Sequence, residues 1–291
     1  MYALTTFPLS KALIAHTQPF FLIGLRMMFA GLFLCLFYYL FQKNTLHITR
    51  KHIGYFLQII FFAILIPYFL RYWGLAIGSQ PRADLLYMAG PLITYLLTSF
   101  LGVEIITRTK TIALALGYCG LFIYFGNPIT SYLRAPFCFA DLAIVISVFS
   151  FAYGWIIIRR LIVDHSYSPV MVNGITMLSA GLGALSLSAF TESMTITGNI
   201  TEFAIVLIAI IIISNLGAHT LYAWLLKKYS LTFIQLCSFT TPLLITYRCI
   251  ITGSETLSLS CITATVIIAA SISIFFVAER GIFLRGIYTV D

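Results

Sequence analysis

The chain has 291 residues, of which 60% are hydrophobic and 9% charged, whereas a soluble domain carries about 25% charged residues, so water is not its principal solvent. Its formal charge of +8 comes from Lys and Arg set in ones, twos and threes between apolar runs. A nucleic-acid binder would gather them on one face, so that partner is not expected.

In hydrocarbon every peptide group must be bonded within its own segment, which limits spanning elements to helices or closed barrels. The apolar runs are helix-length and lack the alternation of barrel strands. In chain order they cover residues 1–15, 20–41, 52–77, 82–102, 109–126, 138–160, 168–190, 203–226, 230–252 and 262–280. A span needs roughly 20 residues, so ten of them leave no room for a soluble domain. The first is short, rising only about 22 Å at 1.5 Å per residue. Pro8, Ser10 and Lys11 interrupt it and no basic segment precedes it, which argues against a signal peptide; a start codon placed too late is the other explanation.

With the N-terminus in the cytoplasm, the cytoplasmic loops and tail hold eleven cations: Lys43, Arg50, Lys51, Arg108, Lys110, Arg159, Arg160, Lys227, Lys228, Arg280 and Arg285. The other side holds two, Arg82 and Arg134. This bias is what the positive-inside rule predicts for an even number of spans with both termini cytoplasmic.

The chain also repeats itself. Pro19, Gly24, Met27, Ala30, Gly31 and Leu32 recur 150 residues later as Pro169, Gly174, Met177, Ala180, Gly181 and Leu182. Leu70, Trp73, Leu75, Pro91, Gly102 and Glu104 recur at 151 as Leu221, Trp224, Leu226, Pro242, Gly253 and Glu255. Two halves follow, residues 1–136 and residues 137–291 with a short cytoplasmic tail. Five spans in each force the second copy to enter from the opposite side. The expected fold is therefore an all-α polytopic membrane protein of ten helices in two inverted repeats, a recurrent plan of secondary transporters working by alternating access.

Four cations, Lys11, Arg26, Arg71 and Arg248, fall inside spans. Each opposes insertion by about 2.5–3.5 kcal/mol at a helix centre, so they should face the bundle interior, where they could hold a carboxylate or phosphate. Snorkelling or pairing with a carbonyl is the alternative. Aromatic residues are dense around them: Tyr68, Tyr72, Trp73, Tyr87, Tyr95, Tyr153, Trp155, Tyr222, Trp224 and Tyr247. Among these, Trp73, Tyr95, Tyr153, Tyr222 and Trp224 are taken as substrate contacts that could stack on a base or hold a cation. Asn215 shares a helix face with His219, as Asn173 does with Met177; Asn215 joins the candidate site, with interhelical hydrogen bonding as the competing role. Glu104 and Glu255 are expected to cap helix ends, and Pro67, Pro91 and Pro242 to bend spans.

The segment Pro19-Phe20-Phe21-Leu22-Ile23-Gly24-Leu25-Arg26, followed by Pro91 with Glu104 and Pro242 with Glu255, resembles the drug/metabolite transporter superfamily in its EamA-type, ten-helix form. Lys11 falls where that family often has a lysine, although the Trp-Gly that usually precedes it is missing. The resemblance implies secondary transport of a small organic metabolite, most simply in a bacterial inner membrane. The Phe- and Ile-rich composition hints at an AT-rich genome. If that belongs to a host-dependent bacterium, the resemblance makes S-adenosylmethionine, exchanged for S-adenosylhomocysteine, the leading candidate. Export of amino acids or hydrophobic drugs is the second transport reading. A non-transporting scaffold and a membrane-embedded enzyme are readings of another class.

No H-E-x-x-H, G-x-S-x-G or paired intramembrane Asp occurs, so no catalytic residues are assigned. Cys35, Cys119, Cys138, Cys237, Cys249 and Cys261 stand singly, which argues against a metal or redox centre. No cofactor is expected; the partners are the bilayer and a small-molecule metabolite, with a homodimer left open.

Overall fold

The computed structural model describes residues 9, 12–42, 48–126, 136–251 and 258–284, without the side chains of residues 42, 80, 81, 248 and 282–284. Seven of its helices are long and apolar enough to cross a membrane: Pro19–Phe41, Arg50–Ile77, Phe139–Asp164, Pro169–Thr191, Ile200–Leu225, Leu231–Ile251 and Leu259–Gly281. These are the second, third and sixth to tenth expected spans. The fourth is divided into Gln80–Tyr87 and Gly90–Phe100, and the fifth is Arg108–Phe125. Residues 12–14 of the first are helical.

Each of the three prolines coincides with a helix irregularity, because proline lacks an N–H and its ring crowds the carbonyl one turn back. Pro67 follows a π-helical stretch, Ile60–Leu65. Pro91 lies in the first turn of Gly90–Phe100, just after the break in the fourth span. Pro242 follows a 3-10 turn at Cys237–Phe239. Side chains of neighbouring spans bond carbonyls around two of these irregularities, as backbone in hydrocarbon requires. Ser150 donates to Phe62 O and Ser147 to Pro67 O, both at 2.9 Å, and Tyr124 donates to Pro242 O at 3.1 Å.

The chain forms two compact units, one from Met1–Tyr87 with Cys138–Lys228, the other from Met88–Phe137 with Tyr229–Asp291. Each draws segments from both sequence halves.

In the first unit the second and seventh spans cross with their backbones touching. A Cβ on Gly31 would lie 2.2 Å from the Leu178 nitrogen, and one on Gly181 would lie 2.3 Å from the Met28 nitrogen. Gly31 and Gly181, like Met28 and Leu178, are 150 residues apart, so the two contacts are reciprocal, as a twofold relation between the repeats requires. The third span meets the sixth where a Cβ on Gly154 would fall 2.5 Å from Ala63 Cα. At one end of the unit Glu192 accepts from the Phe20 and Phe21 nitrogens at 3.1 and 3.0 Å, so a carboxylate occupies the positive end of the second span. Arg82 pairs with Asp141 at 2.8 Å, and Asp141 also accepts from the Cys138 nitrogen.

In the second unit the fifth and tenth spans pack through Gly117 and Gly120, with Ser271 donating to Ala113 O at 2.6 Å. Glu104, 5% exposed, accepts from the Thr232 nitrogen, and Glu279 from the Ser230 nitrogen. Glu104 thus caps a helix, as expected, but that of the ninth span; Glu255 lies outside the described residues. Lys110, counted above among loop cations, is 1% exposed. Its stem enters the first turn of the fifth span, and its ammonium sits 5.4 Å from the Phe275 ring centroid, within reach of the Glu279 charge.

Candidate substrate site

Arg26 is fully buried, about a third of the way along the second span. Its guanidinium donates from Nε to Asn215 Oδ1 at 2.6 Å, from Nη1 to the Tyr72 hydroxyl at 2.9 Å and from Nη2 to Ser214 Oγ at 2.5 Å. Its Cζ lies 5.1 Å from the Tyr68 ring centroid. Hydrogen bonds to a charged group contribute about 1.5–3 kcal/mol each, so three of them offset an insertion cost of about 3 kcal/mol. The planar fork dictates the arrangement: only a guanidinium presents donors in three directions of one plane.

The partners come from two spans related by the repeat. Tyr68 and Tyr72 lie on the third, one turn apart. Ser214 and Asn215 lie in a π-helical stretch of the eighth, Ile211–His219. The π stretches of the third and eighth spans begin at Ile60 and Ile211, the same 151-residue offset that relates the repeats. π segments are rare and occur mostly at functional positions. Here the altered winding presents two consecutive side chains to one guanidinium. Asn215 is held from behind, its Nδ2 lying 3.2 Å from Met27 Sδ and 3.9 Å from Met177 Sδ.

A series of aromatic rings leads away from Arg26. Tyr72 stands edge-on to Tyr68 at 6.1 Å, and the Tyr68 hydroxyl bonds His219 Nε2 at 2.8 Å. Tyr68 and His219 are themselves repeat-equivalent, 151 residues apart. The His219 ring stacks on Trp155 at 5.3 Å, and Trp155 lies 4.1 Å from Tyr222. Arg71, 4% exposed, sits 5.4 Å from the Tyr87 ring centroid. Asp84 is within electrostatic reach of Arg71, an acidic neighbour that sequence spacing did not reveal. Both Arg26 and Arg71 act electrostatically on His219.

The fold thus gathers Arg26, Arg71, Asn215 and Tyr222 in one unit. Tyr153 is in that unit too, but it turns away to Gln58, to which it donates at 2.9 Å. Two positions on, Trp155 faces the rings instead, because residues two apart point to opposite sides of a helix. Trp73 and Trp224 lie on the outer surface, 39% and 51% exposed, the latter under the Lys228 ammonium at 5.0 Å. Tyr95 belongs to the second unit, where its hydroxyl bonds Thr111 Oγ1 at 3.0 Å. Lys11 and the side chain of Arg248 lie outside the described residues. Ser214 was missed altogether; Tyr68, Tyr72, Trp155 and His219 were noticed but not selected. For Tyr68 and Tyr72 the signal that could have picked them is spacing, since they share one face of the third span with Arg71.

Among known proteins, the EamA-like transporter family model matches residues 1–126 and again 139–277. The chain belongs to the EamA-like transporter family. It is therefore a multi-pass membrane transporter with that family's ten-helix, two-repeat architecture. Two relatives of this EamA-type chain are each named S-adenosylmethionine/S-adenosylhomocysteine transporter. The one from Chlamydia muridarum (strain MoPn / Nigg) is 27% identical over 246 residues, covering 82% of this chain and 77% of the relative. The one from Chlamydia trachomatis serovar L2 is 27% identical over 251 residues, covering 82% and 75%. A solved structure described only as the crystal structure of a protein matches with a TM-score of 0.73 at 16% identity, over 96% of this chain and 94% of the other; it bears on the fold alone.

Proposed function

We propose that this EamA-family transporter exchanges S-adenosylmethionine for S-adenosylhomocysteine across a bacterial inner membrane, with both termini cytoplasmic and the halves 1–136 and 137–291 as its inverted repeats. The observation that carries the reading is a buried guanidinium, held rigid by three neutral side chains, at the head of a series of aromatic rings. A fixed cation suits a carboxylate, and flat apolar faces suit a purine. Both compounds join such a carboxylate to such a purine. The two chlamydial relatives support the same choice. In this reading Arg26 and Arg71 draw the amino-acid carboxylate while Tyr68, Tyr72 and Tyr222 contact the remainder, and Asn215 and Ser214 position Arg26.

The test is uptake of labelled S-adenosylmethionine into proteoliposomes of the purified protein, with and without internal unlabelled S-adenosylhomocysteine. The expected result is uptake accelerated by the internal compound. No uptake under either condition removes this substrate pair.

A further inference from the structure

Buried polar groups in proteins nearly always have hydrogen-bond partners, so a buried donor without one needs an explanation. Two such donors lie in the first unit, one of them among its aromatic rings. Trp155 is 1% exposed and its indole Nε1 has no acceptor among the described residues; Asn173 is 2% exposed and its amide Nδ2 has none among them either. Neither lies in a loose region. Gly154 presses the sixth-span backbone against Ala63 of the third, and the Trp155 ring is packed by Tyr222, His219 and Phe151 at 4.1, 5.3 and 5.8 Å.

Asn173 comes level with His219 by helix geometry. Met177 of the seventh span approaches Asn215 of the eighth. These consecutive spans run antiparallel, so one turn back to Asn173 and one turn on to His219 lead the same way along the membrane normal. Trp155 stacks on that same His219. Two N–H donors therefore lie at one level of the unit, Trp155 within the aromatic wall and Asn173 on the seventh span at the height of His219, and what they call for is a flat group carrying acceptors in its plane. A purine has this form, with ring nitrogens N1, N3 and N7 on its edges.

We propose that Trp155 and Asn173 donate hydrogen bonds to ring nitrogens of a purine lying against the Trp155, Tyr222 and His219 wall, and so set the base specificity of the site. This rests on the transport reading above, although adenosine alone also tests it. Affinities for S-adenosylhomocysteine and for its 3-deaza and 7-deaza analogues, each with one ring nitrogen replaced by C–H, are measured on the full-length protein in detergent. Wild type should bind at least one analogue roughly ten-fold more weakly. Trp155→Phe, which keeps a ring but removes the N–H, and Asn173→Leu should each weaken the parent compound by about that factor, and at least one of them should abolish the preference over one analogue. Wild type blind to both replacements overturns the proposal without any variant having to fold. Variants of unchanged melting temperature that keep the full wild-type preference overturn it too. If wild type does not bind S-adenosylhomocysteine, the substrate reading fails, and the same comparison with adenosine and its deaza forms decides this one: binding sensitive to Trp155→Phe upholds it, and absence of binding ends it.

Discussion

Arg26→Ala will reduce exchange by roughly 30- to 5,000-fold, corresponding to the loss of about 2–5 kcal/mol that follows removal of one member of a buried, hydrogen-bonded charged group. Arg26→Lys will recover little of it. An ammonium keeps the charge, but as a point donor on a flexible stem it cannot reach Asn215, Tyr72 and Ser214 at once. The measurement is initial uptake in proteoliposomes at matched protein density, with the melting temperature in detergent recorded alongside. A purely structural arginine would lose melting temperature and activity together. A substrate-directed one loses more transport in the lysine variant than the fall in melting temperature accounts for.

The second large effect concerns the crossing of the second and seventh spans. Gly31→Val and Gly181→Val will each prevent accumulation of folded protein, because the added carbon meets backbone atoms, which cannot swing aside as a side-chain tip can. Overpacking of a core costs about 1–3 kcal/mol where neighbours can adjust; here the helices themselves must separate, and close approach is what holds helices together in lipid. Since the contacts are reciprocal, Gly31→Ala and Gly181→Ala should lower the melting temperature in detergent by similar amounts. A change confined to one of them would argue against a twofold relation at this crossing.

What could be read from the sequence was whatever a single segment carries. Apolar length gave the spans, coincident Pro, Gly, Trp and Glu gave the repeat, and the cost of an intramembrane cation singled out Arg26 and Arg71. The partners of Arg26 were not legible in the same way. Tyr72 is 46 residues away, and Asn215 and Ser214 are 189 and 188 away, so only the packing of three spans brings them together. Choosing between Tyr153 and Trp155 needs the rotation of the sixth span, which a run apolar on all sides does not encode. Trp73 and Trp224 were read as possible stacking faces, yet their side of the helix, which decides between lipid and interior, is not encoded in a run apolar on all sides. The π stretch of the eighth span reads as ordinary apolar helix, and the altered winding that lets Ser214 and Asn215 act together leaves no periodic trace.

A carboxylate meeting the Arg26 centre is tested most directly by comparing proteoliposome uptake of S-adenosylmethionine with that of its decarboxylated form, for wild type and Arg26→Lys. Wild type should favour the intact compound by at least ~10-fold, about the worth of one charge-assisted hydrogen bond, and Arg26→Lys should erase most of this preference. Equal uptake of the two compounds by wild type, or an undiminished preference in the variant, would contradict that contact.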